Sequence, residues 1–255
     1  MNQIEKTKAF HALHRKGNPL VLYNVWDAGT AGAVAAAGAK ALATGSWSVA
    51  AANGYGDGEA LPLEVLVVVA RSIVASIDLP VSIDFEGAYS EDPSQAAANA
   101  ALLMDLGAVG INFEDQVVGG EGLYSIESQT ARIRAIRAAA EDRGLPFFIN
   151  ARTDLFLKES DGSKHAALLD QAIERAHAFA EAGASGFFAP WLADTALISQ
   201  LCAASPLPVN IMMKPGAPTV SELAACGVAR VSYGPGPYRA MIAWLKGEAE
   251  KIYAA

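Results

Sequence analysis

The sequence predicts an α/β fold, a (β/α)8 barrel of the TIM type with an N-terminal capping helix, and two alternating signals carry that prediction. Along the 255 residues, one kind of apolar run follows a proline: Pro19, Pro80, Pro146 and Pro208, the last three as Leu-Pro pairs. The other kind opens on Gly38-Ala39, Gly107-Ala108, Gly183-Ala184 and Gly227-Val228. The two alternate strictly. Each glycine follows an Ala-rich segment, as the C-cap of a helix does. Each proline opens a strand, where its missing N–H is tolerated. Eight such units in about 250 residues match a barrel of eight strand-helix repeats. An open doubly wound sheet is the rival, but it rarely needs eight equivalent units.

Residues 2–16 set Ile4, Phe10 and Leu13 at helical spacing and predict a helix closing one end of the domain. Strands are expected at 20–24, 40–44, 81–85, 109–113, 146–150, 186–189, 208–212 and 229–232. Helices are expected at 62–76, 93–106, 128–143, 164–182 and 195–204, with Pro62 and Pro93 in first-turn positions. A last helix, 238–253, puts Met241, Trp244, Leu245 and Ile252 on one apolar side. No linker or low-complexity tract interrupts the pattern, so residues 1–255 read as a single domain.

Composition narrows the function. The formal charge is −8 and no Lys/Arg cluster stands out, which argues against nucleic acid as a partner. No run of about 18 apolar residues exists, so a membrane span is not expected. The first 16 residues lack the apolar core of a secretion signal. Cys202 and Cys226 have no metal-ligand spacing, and a reducing cytoplasmic setting is the default.

In such a barrel the polar residues at strand C-terminal ends form the active site. Two apolar runs end abruptly in acids: Ile83-Asp84-Phe85-Glu86-Gly87 and Ile111-Asn112-Phe113-Glu114-Asp115. On neighbouring parallel strands, Asp84, Glu86 and Glu114 converge. Two carboxylates about 4 Å apart repel by roughly 4 kcal/mol at an effective dielectric of about 20. Three together predict a bound cation or raised pKa values. With no His or Cys nearby, the oxygen-only set favours Mg²⁺ or Mn²⁺. Arg152, at the end of the fifth strand, is the one cation of the ring, and Gly45-Ser46 offers backbone N–H groups to an anion. Together they suggest a small carboxylate substrate with its carbonyl on a metal ion. Asn210, Met212 and Tyr233 end the last two strands. Asp27 and Asp154 read first as helix caps, Asp115 as a structural partner, and Arg152 equally as a partner of Asp154. His11, His14, His165 and His177 read as surface or internally satisfied residues.

These motifs resemble one family over nearly the whole chain, the isocitrate lyase/phosphoenolpyruvate mutase superfamily. The resemblance rests on Asn24-Val25-Trp26-Asp27-Ala28, Thr44-Gly45-Ser46, Gly56-Asp57, Ile83-Asp84-Phe85-Glu86-Gly87, Phe113-Glu114-Asp115-Gln116 and Asn150-Ala151-Arg152-Thr153-Asp154. It implies a magnesium site with Asp84 as direct ligand and Asp57, Glu86 and Glu114 acting mainly through water. It also implies a substrate carboxylate nest of Gly45, Ser46 and Trp47, an Arg152 clamp, and a lining strand with Asn210 and Met212. The implied chemistry passes through an enolate or oxyanion intermediate from a 2-oxo acid. Helix-exchanged homo-oligomers, tetramers or dimers, are a further implication, although the chain stops at Ala255.

The departures are informative. Glu86 replaces the usual second Asp, and Gly87-Ala88-Tyr89 replaces Gly-Tyr-Gly. The Lys-Lys/Arg-Cys-Gly-His loop of isocitrate and methylisocitrate lyases is here residues 117–124, with no Cys, His or Lys, and the Lys and Asn that phosphonopyruvate-processing members use there are absent too. A proton donor in that loop is limited to Glu121, Tyr124 or a water, with Tyr124 slightly ahead. Gly119, Gly120 and Gly122 suit a mobile lid. The expected function is a Mg-dependent carbon–carbon lyase, decarboxylase or hydrolase acting on a small 2-hydroxy or 2-oxo dicarboxylate. P–C bond chemistry on phosphonopyruvate ranks below it, and a non-catalytic 2-oxo-acid-binding protein is the reading of a different class.

Overall fold

The computed structural model describes residues 1–254 and forms one eight-stranded parallel sheet curled into a barrel. The strands are β1 (Leu20–Leu22), β2 (Leu42–Ala43), β3 (Val81–Asp84), β4 (Gly110–Glu114), β5 (Phe148–Arg152), β6 (Gly186–Phe188), β7 (Val209–Met212) and β8 (Arg230–Ser232). Each pairs with its successor from β2 to β8, and β8 returns to β1 with Arg230 beside Leu20. The β1–β2 seam closes just past the strands, where Val25 bridges Thr44 and its N–H donates to the Ala43 carbonyl at 2.9 Å.

The helices are α1 (Gln3–Leu13), α2 (Ala28–Ala36), α3 (Ser46–Ala52), α4 (Leu63–Ser76), α5 (Pro93–Asp105), α6 (Ile126–Glu141), α7 (Leu155–Lys158), α8 (Leu169–Glu181), α9 (Thr195–Ala204), α10 (Val220–Ala225) and α11 (Gly236–Tyr253). Their starts follow local chemistry. Asp27 accepts the Thr30 N–H at 2.7 Å and so caps α2, as its position suggested. Pro93 opens α5 as its first residue, whereas Pro62 sits one position earlier, as the N-cap of α4. The helix expected at 164–182 is a 3₁₀ turn over Gly162–Leu168 followed by α8.

Two apolar clusters separate the layers. The larger lies between the strands' outer faces and the helices. The smaller is inside the barrel, where Leu20, Leu22, Ala41, Ala43, Val109 and Phe148 meet Phe10 of α1. Phe10 and Phe148 pack edge to face at 5.2 Å, so the N-terminal helix plugs the lower mouth. Gly110 is required here, because a Cβ would collide with the Phe148 carbonyl. Above the plug the interior turns polar, with Asn112, Asn150, Asn210, Arg230 and Ser232 all buried. That polarity aims the chemistry at the upper, C-terminal mouth.

Strand β5 begins two residues later than expected, because Pro146 and Phe147 are spent on a turn in which Phe147 N–H reaches the Leu145 carbonyl. Alternation along the strand puts Asn150 and Arg152 on the same inward face. At the other end of the chain, α11 buries only Pro237 and leaves Trp244, Leu245, Ile252 and Tyr253 exposed. Val21 and Tyr23, on the outer side of β1, are also uncovered.

Candidate active site

The four acids singled out in the sequence gather at the C-terminal mouth. Asp84 ends β3, where its Oδ2 accepts the Ser46 N–H at 2.8 Å and its Oδ1 accepts Asn112 Nδ2 at 3.2 Å. Asp57 lies beside it; burial and then the Asp84 charge push its carboxyl above the usual range. Glu86 has left the strand in a left-handed conformation, φ 49°, which a side chain rarely adopts. Its Oε2 accepts the Glu59 N–H at 2.6 Å. Burial, then Asp57 and Asp84, push the Glu86 carboxyl up to about 8. Glu114 ends β4 and is pushed well above the ordinary range by burial, against the pull of Arg152. Such concentrated strain and displaced acidity mark functional sites.

Arg152 is held on both sides. Its Nε and Nη2 grip the two Asp154 oxygens at 2.6 and 3.0 Å, and its Nη1 lies 3.0 Å from Glu114 Oε2. Burial opposes its charge, but Asp154 and Glu114 hold it firmly protonated. Asp154 is thus a guanidinium partner with no side-chain cap bond to the helix it precedes, which corrects the expectation of a cap. Asp115 is structural, as expected: it accepts the Asp154 N–H and Arg175 Nη1, both at 2.9 Å. Three of the five N–H groups of Arg152 are used, which leaves two for a ligand.

These groups wall a cavity of about 180 Å³. Ser46, Asp57, Asp84, Asn112 and Arg152 form its polar side, with Gly45 and Asn24 at the edge; Trp47, Phe188, Trp191, Met212, Pro235 and Arg239 are among the residues that line the other side. Glu86 and Glu114 stand behind Asp57 and Asp84 and do not line it. Among the described residues, no three His, Cys, Asp or Glu side chains are grouped to hold one metal ion directly. What faces the cavity is a pair of carboxylates with two further acids behind. That oxygen-only arrangement fits a hard divalent cation bound partly through water.

Other expected residues fall elsewhere. Asn210 lies deeper, accepting from Asn150 Nδ2 and Ser232 Oγ inside the barrel. Tyr233 lines an adjoining cavity and tilts against Tyr23 at 5.3 Å. Residues 117–124 form a short hairpin whose base is pinned by the Gln116–Leu123 bridge and by Tyr124 N–H to the Asp115 carbonyl at 2.7 Å. Glu121 is exposed in that hairpin. The Tyr124 ring stacks on the buried Arg132 guanidinium at 4.3 Å, as an anchor, away from the cavity. The Ser46 amide, expected to meet the substrate, is spent on Asp84. Asn112 was missed as a site residue, although strand alternation from Glu114 places it on the same inward face. Trp191 and Arg239 carried no signal in the sequence.

Fold and site define a (β/α)8 barrel with acids and a clamped arginine around one polar cavity at its C-terminal mouth. A model of the phosphoenolpyruvate phosphomutase family matches residues 10–253. The 2-methylisocitrate lyase of Escherichia coli is 31% identical over 244 residues, covering 92% of this chain and 80% of that one. A crystal structure of a candidate phosphonomutase from Burkholderia cenocepacia superposes with a TM-score of 0.95 at 47% identity, covering 98% of this chain and 99% of that one. Phosphonopyruvate hydrolase, solved with oxalate and Mg²⁺, shares the fold at a TM-score of 0.85 and 21% identity, covering all of this chain (100%) and 88% of that one. The chain belongs to the isocitrate lyase/phosphoenolpyruvate mutase superfamily. No helix among the described residues is long and apolar enough to cross a membrane.

Proposed function

We propose that this chain is a Mg²⁺-dependent lyase that cleaves a carbon–carbon bond of a small 2-hydroxy or 2-oxo dicarboxylate through an enolate. The observation that carries the reading is the shared wall of Asp57, Asp84 and Arg152 in one cavity. Asp84 would hold the cation directly, and Asp57, Glu86 and Glu114 through water. A bound Mg²⁺ supplies a Lewis acid for the oxygen on which charge develops. The two spare N–H groups of Arg152 orient a substrate carboxylate, and Asp154 with Glu114 keep that guanidinium fixed and charged. Trp47, Phe188 and Trp191 exclude water from the same space. Residues 117–124 act as a lid, and a proton reaches the enolate from Glu121 or a trapped water once it closes. Tyr124, seated on Arg132, is less suited to that task. The relatives named 2-methylisocitrate lyase, and the fold neighbour solved with oxalate and Mg²⁺, support the reading.

P–C chemistry on phosphonopyruvate is the second reading, favoured by the likeness to a candidate phosphonomutase. Turnover of a panel of 2-oxo acids, 2-hydroxy acids and phosphonopyruvate with Mg²⁺ separates the two. Release of a carbonyl fragment from a carbon acid is expected; turnover of phosphonopyruvate alone would overturn the reading. The uncovered faces of α11 and β1 further suggest a homo-oligomer in which α11 is exchanged. Two free cysteines suit a reducing, cytoplasmic setting.

A further inference from the structure

The polar cavity does not end at its aromatic wall. A second cavity, of about 280 Å³, shares Trp191, Met212, Pro235 and Arg239 with the first. Its own lining adds Met213, Lys214, Pro215, Tyr233 and Gly236. The first chamber carries two carboxylates of its own. The second carries none, and it carries two cations.

Those cations are placed by aromatic rings. The Arg239 guanidinium lies over Trp47 at 4.5 Å, and the Lys214 ammonium over Trp191 at 4.4 Å. Neither makes an ion pair with any described residue, in a chain whose formal charge is −8. Trp47 is itself held edge-on by Tyr238 at 5.8 Å, so Arg239 is seated on a fixed wall. Trp191 is one of five non-glycine residues with positive φ among the described residues, at 74°, in a conformation that orients its ring between the two chambers. Stacking leaves the N–H donors of both cations free to bind an anion.

We propose that the second chamber takes the distal end of the substrate, a short apolar spacer ending in a carboxylate held by Arg239 and Lys214. The inference rests on the 2-oxo-acid reading of the first chamber and extends it. The proximal carboxylate and carbonyl stay with Arg152, Asp57 and Asp84. The spacer lies on Met212, Trp191 and Pro235, which border both chambers. Arg239 and Lys214 then decide between diacids and monoacids, while Arg152 decides for 2-oxo acids as a class.

The test uses the full chain with Mg²⁺ and titration calorimetry. The probes are oxalate, which reaches only the first chamber, and 2-oxo acids of four to six carbons with and without a terminal carboxylate. In the wild type at least one diacid should bind about 10–100-fold more tightly than the monoacid of the same length, the range for a hydrogen bond to a charged group. In Lys214→Met and Arg239→Met that ratio should fall to within about threefold. In Lys214→Met, which alters the second chamber alone, oxalate affinity should change less than about threefold, the check that the first chamber is intact. Arg239→Lys should keep part of the preference. Oxalate binding with no diacid preference in the wild type, or a preference that both Met variants retain, would overturn the inference and leave the parent reading standing. Failure of oxalate itself to bind in the presence of Mg²⁺ would overturn the parent reading, and this inference with it.

Discussion

Replacing Glu86 by Gln should stabilise the metal-free protein, and more so as pH rises. The Glu86 carboxyl is pushed to about 8 by burial first and then by Asp57 and Asp84. An ordinary glutamate titrates near 4.3 in an unfolded chain. Between those values the native state holds a proton that the unfolded state has released, so stability falls as pH rises through the window. One such proton is worth about 1.4 kcal/mol per pH unit, which gives at most about 5 kcal/mol by pH 8. The glutamine amide keeps an oxygen for the Glu59 N–H and has nothing to ionise. Urea unfolding in EDTA at pH 5.5 and 7.5 measures the effect. The advantage of Glu86→Gln over wild type should grow by up to about 3 kcal/mol between the two, or about 5–10 °C in Tm for a chain of this size. Parallel pH dependences for the two proteins would refute the reasoning, because they would mean that Glu86 is ionised, or exposed, in the metal-free fold.

Asp84→Ala should abolish calorimetric Mg²⁺ binding while the circular dichroism stays native; unchanged affinity would remove Asp84 from the metal site. Metal binding should release about one proton near pH 7, read from calorimetry in two buffers of different ionisation enthalpy, because Glu86 must ionise beside the cation. Glu121→Gln should lower kcat more than Tyr124→Phe, since Glu121 is free to swing whereas Tyr124 anchors the loop on Arg132; the reverse order would return the proton to the tyrosine. Sedimentation at micromolar concentration should show a species larger than the 26.5 kDa chain, and truncation before Trp244 should reduce it to a monomer.

The order of strands was legible because each end of each unit is marked by a residue with a backbone reason. Leu-Pro opens strands β3, β5 and β7, and a glycine with positive φ closes the helix before β2, β4, β6 and β8, at Gly38, Gly107, Gly183 and Gly227. The acids were legible because a carboxylate ending a buried strand needs a partner. Boundaries were less so: Pro146 predicts where a strand begins, but hydrogen bonding to β4 starts only at Phe148. The walls contributed by loops were illegible. Trp191 follows a strand that ends in apolar residues, and Arg239 lies one turn into a helix whose spacing says only that it is amphipathic. Tyr124 shows the converse failure. Its place in a glycine-rich loop suggested chemistry, but a ring next to a buried guanidinium gains more from stacking than a loop tip offers.

Asp84 is oriented from below as well as from above. Asn112 Oδ1 accepts from Asn150 Nδ2 at 2.9 Å and from the buried Arg230 Nη2 at 3.1 Å. Two donors on that oxygen, one of them cationic, leave only one amide orientation, so Asn112 Nδ2 must face Asp84 Oδ1. Ser46 N–H takes the other carboxylate oxygen. The carboxylate plane is therefore set by two strands and a helix start before any ligand arrives. This also explains why the barrel interior changes character at one level. The layer of Phe10, Leu20 and Phe148 excludes water below, and the amide layer above it is dry enough for each hydrogen bond to be strong. An apolar residue at Asn112 would leave Asn150 Nδ2 with Asn210 Oδ1 alone, strand Arg230 Nη2, and leave the Asp84 carboxylate held by the Ser46 N–H alone. The polar interior is thus part of the site, and the position of the cavity follows from where the apolar plug stops.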